Sequence, residues 1–150
     1  MRILVVDDDG VSRKVAAQAA GRMGHEVITA SGGAEAWKRL EEEDYDVLLT
    51  DWIMPGVDGL ELCERVRARQ GRRFIYVMLV TQRNKTEDVV TGILAGADDF
   101  ISKPYEAAEL KARLHAAERM VELSRAVCPG CYEDKVQPLL ANLRTGRRAS

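Results

Sequence analysis

The chain has 150 residues, 46% hydrophobic and 31% charged, with a formal net charge of -2; that is room for one full domain and a small appendage, without the basic excess of a nucleic-acid binder. Only four apolar residues separate Met1-Arg2 from Asp7, too few for a signal-peptide core, and the longest apolar run, Phe74 to Val80, is far short of a membrane span. Three cysteines do not make a secreted disulfide scaffold, so a cytoplasmic protein with no membrane contact is expected.

Short apolar runs alternate with helical patterns along the chain. Ile3–Val6, continuous and branched, predicts a strand buried on both faces. Val11, Val15, Ala19 and Met23, flanked by Ala16 and Ala20, predict a helical face that stops at Gly24. Glu26–Ala30 reads as a second strand, followed by a helix with Ala34, Trp37 and Leu40 inward, closed by the acidic stretch Glu41–Asp44. Val47–Thr50 is the third strand, and Pro55-Gly56 marks a loop before a helix over Asp58 to Arg69 with Leu60, Cys63 and Val66 inside. Phe74–Val80 is the fourth strand. Val90, Ile93, Leu94 and Ala97, at i, i+3, i+4 and i+7, predict an amphipathic helix. Asp99–Ser102 is a brief fifth strand before Pro104, and Leu110, Leu114, Ala117 and Val121 line a long helix from Glu106 to Val127. Strict alternation of strand and helix predicts the α/β class, a doubly wound parallel sheet of five strands covered by five helices.

The chemistry gathers at strand ends. Asp7, Asp8 and Asp9 follow the first strand and Asp51 ends the third. In an open α/β sheet the binding crevice lies beyond the carboxyl ends of the strands, where their order reverses. Two unit charges about 5 Å apart repel by roughly 3 kcal/mol at an effective dielectric near 20, and a hard divalent cation such as magnesium turns that cost into a site. Thr81 at the end of the fourth strand adds a hydroxyl, and Lys103 after the fifth an ammonium. Acids, a cation, a hydroxyl and a lysine suit phosphoryl transfer, with Asp51 as the attacking carboxylate. Each residue alone has a plainer role: Asp8 or Asp9 as a helix cap, Asp51 as a turn residue, Lys103 as a solvated lysine. Their succession at four strand ends favours the joint reading.

Residues 1 to about 122 resemble a response regulator receiver domain, the phosphoacceptor half of bacterial two-component phosphorelay signalling. The resemblance rests on Ile3-Leu4-Val5-Val6-Asp7-Asp8-Asp9, Asp51-Trp52-Ile53-Met54-Pro55-Gly56-Val57-Asp58-Gly59, Leu79-Val80-Thr81 and Ala95-Gly96-Ala97-Asp98-Asp99-Phe100-Ile101-Ser102-Lys103-Pro104. It implies a flavodoxin-like sheet in the order 2-1-3-4-5. By the same resemblance Asp51 accepts phosphate from a histidine kinase or a histidine phosphotransfer protein. Asp8, Asp51 and the Ile53 carbonyl bind Mg2+ directly and Asp7 does so through water, while Thr81 and Lys103 contact the phosphoryl group. The family's switch draws Thr81 inward and lets Phe100 fill the space it leaves. That reshapes the face of the fourth helix, fifth strand and fifth helix, which a partner protein or output domain reads. Such a module phosphorylates and dephosphorylates itself but turns over no substrate. Gln82 stands where the family often has a small residue, and Ile53 and Arg83 occupy positions that tune self-dephosphorylation.

Two other functions are weighed against it. A magnesium-dependent aspartyl-phosphate phosphatase of the haloacid dehalogenase type usually shows an Asp-x-Asp pair around its nucleophile, and Asp51-Trp52-Ile53 lacks the second acid. A receiver-like scaffold acting without phosphorylation predicts loss of Asp51, Lys103 or an acid of the pair, and all are present. Residues 123–150 read as an extension or linker. Cys128 and Cys131 enclose Pro-Gly and have three readings: an inert turn, a redox pair, or zinc shared by two protomers. Val136, Leu139, Leu140 and Leu143 make a short apolar stripe, the terminal arginines read as a solvated end, and the fifth helix leaves a homodimer open.

Overall fold

Short continuous runs of branched apolar residues suit strands buried on both faces of a parallel sheet. The computed structural model, which describes residues 1–126, builds that sheet. In chain order the elements are β1 (Arg2–Val6), α1 (Gly10–Gly21), β2 (Glu26–Ala30), α2 (Gly33–Glu42), β3 (Val47–Asp51), α3 (Gly59–Ala68), β4 (Tyr76–Thr81), α4 (Thr86–Ala95), β5 (Asp99–Ser102) and α5 (Ala107–Ala126). All neighbouring strands are parallel, in the order β2-β1-β3-β4-β5. The fold is the flavodoxin-like one expected, and its order reverses between β1 and β3.

The pleat divides the strand residues between two cores. Ile3, Val5, Leu49, Met78 and Ile101 pack under Ala16, Ala19 and Ala20 of α1 and Leu110, Leu114, Ala117 and Val121 of α5. Leu4, Val6, Leu48, Val77 and Leu79 face Ala36 and Leu40 of α2 and Leu62, Cys63 and Val66 of α3. Register then levels the carboxyl ends: Val6 pairs with Thr50, Asp51 with Val80 and Thr81 with Ser102.

The opposite edge of the sheet is tied by charge. Asp46, buried just before β3, accepts the Arg2 N–H at 2.7 Å and pairs with Arg125 in the last turn of α5 at 2.5 Å. Burial pushes its carboxyl up, but the Arg2 hydrogen bond and the Arg125 guanidinium outweigh that and hold it below the usual carboxylate range. Farther up α5, Arg113 donates to Asp99 of β5 at 2.8 Å.

Several expected inner faces are turned. On α1 Val11 is 73% exposed and Val15 51%, because the alanine face allows the helix to lie closer to the sheet; the helix also ends at Gly21, not Gly24. On α2 it is Ala36 that points inward, with Ala34 exposed, and on α3 Leu62 joins Cys63 and Val66. The fourth strand begins at Tyr76, two residues after Phe74. The largest reversal is α4, whose Val90, Ile93 and Leu94 are 49%, 56% and 53% exposed and whose single buried residue is Gly92. A helical apolar period reports a sticky face, whether that face meets the protein's own core or something else.

No helix among the described residues is long and apolar enough to cross a membrane. Cys128, Cys131 and the stripe from Val136 to Leu143 lie outside the described residues. Stability should follow these faces: Leu114→Ala is expected to cost about 2–5 kcal/mol in urea unfolding, whereas Leu94→Ser should stay within about 0.5 kcal/mol of the parent chain.

Candidate functional site

Three strand ends meet at the reversal between β1 and β3. Asp7 follows β1, Asp51 ends β3, and ligand oxygens of Asp7, Asp8 and Asp51 all lie within 4.8 Å of one another. From beyond β5 the Lys103 ammonium reaches in, 2.9 Å from Asp7 Oδ2 and 3.3 Å from Asp51 Oδ2. These groups are 96 and 52 residues apart in sequence; only the strand order brings them together.

The three adjacent aspartates have separate work. Asp7 is buried, accepts the Asp9 N–H at 2.9 Å through Oδ1, and has its carbonyl held by Arg13 at 2.9 Å. Asp9 is the cap of α1: its carboxylate accepts from the Ser12 N–H at 3.1 Å and hydroxyl at 2.7 Å, which holds it below the usual range. Asp8 is left exposed at the mouth of the acid cluster.

Electrostatics leave the cluster short of positive charge. Burial pushes the Asp51 carboxyl up; the Lys103 ammonium pulls it down and the Asp7 charge pushes it up again, and the net direction is upward. Burial would lower the Lys103 ammonium, but the hydrogen bond to Asp7 and the charges of Asp51 and Asp7 outweigh it and raise it, so the lysine stays protonated. Among the described residues one ammonium contacts two of the three clustered carboxylates, and such a group matches the donor set that hard, oxygen-seeking divalent ions use. The residues present therefore fit such an ion.

Around the acids stand groups that can act on a ligand or report it. Thr81 is fully buried; its hydroxyl oxygen accepts the Arg83 N–H at 3.0 Å and its carbonyl accepts the Lys103 N–H at 2.8 Å. Phe100 is half-buried on β5, its ring 5.8 Å from that of Trp52 in an edge-to-face arrangement. Ile53, two residues past Asp51, exposes its side chain. Gln82 is exposed and lines an open cavity of about 330 Å³ with Val11, Val15, Lys103 and Tyr105 beside the acids. Gly59 opens α3 against the Asp51 carbonyl, where a Cβ would come within 2.1 Å of the oxygen, so α3 can sit close under the acid.

Comparison with known proteins decides the family. The model of the response regulator receiver domain matches residues 3–115. The chain belongs to that family. It is similar to a chemotaxis protein CheY homolog of Campylobacter jejuni, 39% identical over 116 residues, which are 76% of this chain and 89% of that one. It is similar also to the transcriptional regulatory protein AfsQ1 of Streptomyces coelicolor, 37% identical over 120 residues, covering 80% of this chain; it spans about half of that regulator's length, 52%. Among solved structures, the Vibrio cholerae chemotaxis protein CheY4 superposes with a TM-score of 0.73 at 28% identity, over 77% of this chain and 97% of that one.

This receiver brings together the expected acids and lysine, and puts Thr81 and Phe100 on the adjoining strands. Sequence reasoning passed over Trp52, which is buried between Phe100 and the Arg83 guanidinium, 5.4 Å from its ring centroid. Its signal was a large aromatic directly after a strand-end acid. An acid whose folded-state titration is raised disfavours folding once ionised; the penalty is present above its folded pKa and vanishes below the unfolded one. Asp51→Asn should accordingly raise the thermal midpoint at pH 7, with the gain shrinking as the pH falls through the carboxylate range.

Proposed function

We propose that this receiver accepts a phosphoryl group on Asp51 from a histidine kinase or a histidine phosphotransfer protein. The observation that carries the reading is the position of Asp51: it shares one cluster with Asp7 and Asp8 and one ammonium with Asp7. A carboxylate oxygen of Asp51 attacks phosphorus, the phosphorus–nitrogen bond of the donor breaks, and the donor imidazole leaves with a proton. Lys103 moves from bridging two carboxylates to neutralising phosphoryl oxygen, and the Thr81 hydroxyl donates to another of its oxygens. Asp8, Asp51 and the Ile53 carbonyl would hold Mg2+, with Asp7 assisting through water, and the ion would neutralise charge on the transferring oxygens. In autodephosphorylation water attacks phosphorus, the bond to the Asp51 oxygen breaks, inorganic phosphate leaves and the carboxylate returns; no other substrate is turned over.

Thr81 and Phe100 form the switch, and the α4-β5-α5 face is its output. The exposed Val90, Ile93 and Leu94 support this, since they already present an apolar surface there. The reader is a partner protein or an output domain; AfsQ1, a transcriptional regulatory protein of which the matched residues cover 52%, supports the second. We assign residues 1–122 to the receiver and 123–150 to an extension that α5 enters without a break, and place the protein in the cytoplasm.

Intact mass after incubation with acetyl phosphate should show one added phosphoryl group that needs magnesium and is lost in Asp51→Asn. A chain that gains none with magnesium present would be a scaffold that acts without phosphate. Magnesium alone at about 100 times its Kd should stabilise the fold by about 2.7 kcal/mol, an effect that Asp8→Asn should largely remove when thermal unfolding is compared.

A further inference from the structure

Two chains of contact leave the Asp51 pocket and both end on α4. The first is made of rings. Trp52, fixed through its N–H to the Val80 carbonyl at 3.1 Å and its carbonyl to the Gly59 N–H at 2.8 Å, meets Phe100 edge to face. Phe100 lies in turn against α4 at Gly92, where a Cβ would fall 2.8 Å from Phe100 Cε2 and 3.2 Å from Leu79 Cδ1. The missing side chain is a slot, and the phenyl ring occupies its mouth.

The second chain runs through the β4–α4 loop. The Arg83 N–H holds the Thr81 hydroxyl oxygen, and its guanidinium pairs with Asp88 in the first turn of α4 at 3.6 Å. The same guanidinium covers the Trp52 ring. Arg83 is half-exposed, and each of its contacts is weak at a surface. Their importance is that one residue touches the hydroxyl expected to move, the ring beside the phosphoacceptor, and the helix expected to respond.

We infer that Arg83 is a positioning residue that couples Thr81 to α4 by clamping Trp52, and that Gly92 sets the seat from which Phe100 follows. The inference rests on Asp51 being the phosphoacceptor. When the Thr81 hydroxyl turns to a phosphoryl oxygen it pulls on the Arg83 N–H. The guanidinium then shifts from the Trp52 face and from Asp88, so the first turn of α4 loosens. At the same time Trp52 is free to tilt, and Phe100 leaves the Gly92 slot. The hydroxyl and ring movements become one event because Arg83 takes part in both.

The test is hydrogen exchange of α4 in the full chain, with and without acetyl phosphate and magnesium, read by mass spectrometry; intact mass of the same samples gives phosphoryl occupancy. In the parent chain phosphorylation should change exchange across residues 86–96. In Arg83→Gln, compared at equal occupancy, that change should fall by more than half; a change of parental size overturns the inference. Gly92→Ala should shift α4 exchange toward the phosphorylated parent before any phosphoryl is added, and unaltered exchange there overturns the role of the slot. If Gly92→Ala does not fold, Arg83→Gln, altered at a half-exposed side chain, still decides the clamp. Failure of the parent chain to take up phosphoryl overturns the acceptor reading and this inference together, whereas uptake with undiminished coupling in Arg83→Gln overturns this inference alone.

Discussion

One ammonium shared between two carboxylates is the constraint around which the receiver is arranged. Lys103 must reach Asp7 and Asp51 at once, which requires β1 and β3 side by side and β5 close enough for a lysine stem to span β4. Remove the ammonium, and two acids at the end of a buried sheet repel by roughly 3 kcal/mol at an effective dielectric near 20. Burial already keeps the Asp51 carboxyl above its usual range with the lysine in place. The pocket therefore holds negative charge under tension, and whatever brings positive charge to it relieves both folding and chemistry.

The convergence of these strand ends, though not the lysine's bridge between two acids, was legible in the sequence because strands announce themselves by continuous branched runs and their ends by polar residues. Asp7, Asp51, Thr81 and Lys103 stand at the ends of β1, β3, β4 and β5, and alternation with helices leaves few strand orders. The α5 stripe was legible for a related reason: Leu110, Leu114, Ala117 and Val121 are large enough and periodic enough to specify one buried face. Which of three consecutive aspartates caps, pairs or faces solvent was not legible, since the choice turns on Ser12 and on a lysine 96 residues away.

The helices that sequence periodicity misread share a cause. On α1 and α4 the residues nearest the sheet are small, Ala16, Ala19 and Ala20 in one and Gly92 in the other. Small residues let a helix approach closely, and closeness is a source of packing energy that hydropathy does not register. The larger valines and leucines are then left on the outside. The contact of Arg83 with Trp52 was illegible for a different reason, because it joins two loops and follows no period at all.

The ion pair between Arg125 and Asp46 has a mechanical consequence. Helix α5 leaves the Lys103 loop at the pocket end and is fastened at its other end to the amino edge of the sheet. Twenty residues of helix form a rod about 30 Å long, so a swing of about 5° about the Asp46 fastening carries the opposite end through about 2.5 Å. A rod hinged at that point turns displacement at one end into a change of heading at the other. A pull on Lys103 would thus tilt α5 while leaving its Arg125 end nearly where it was.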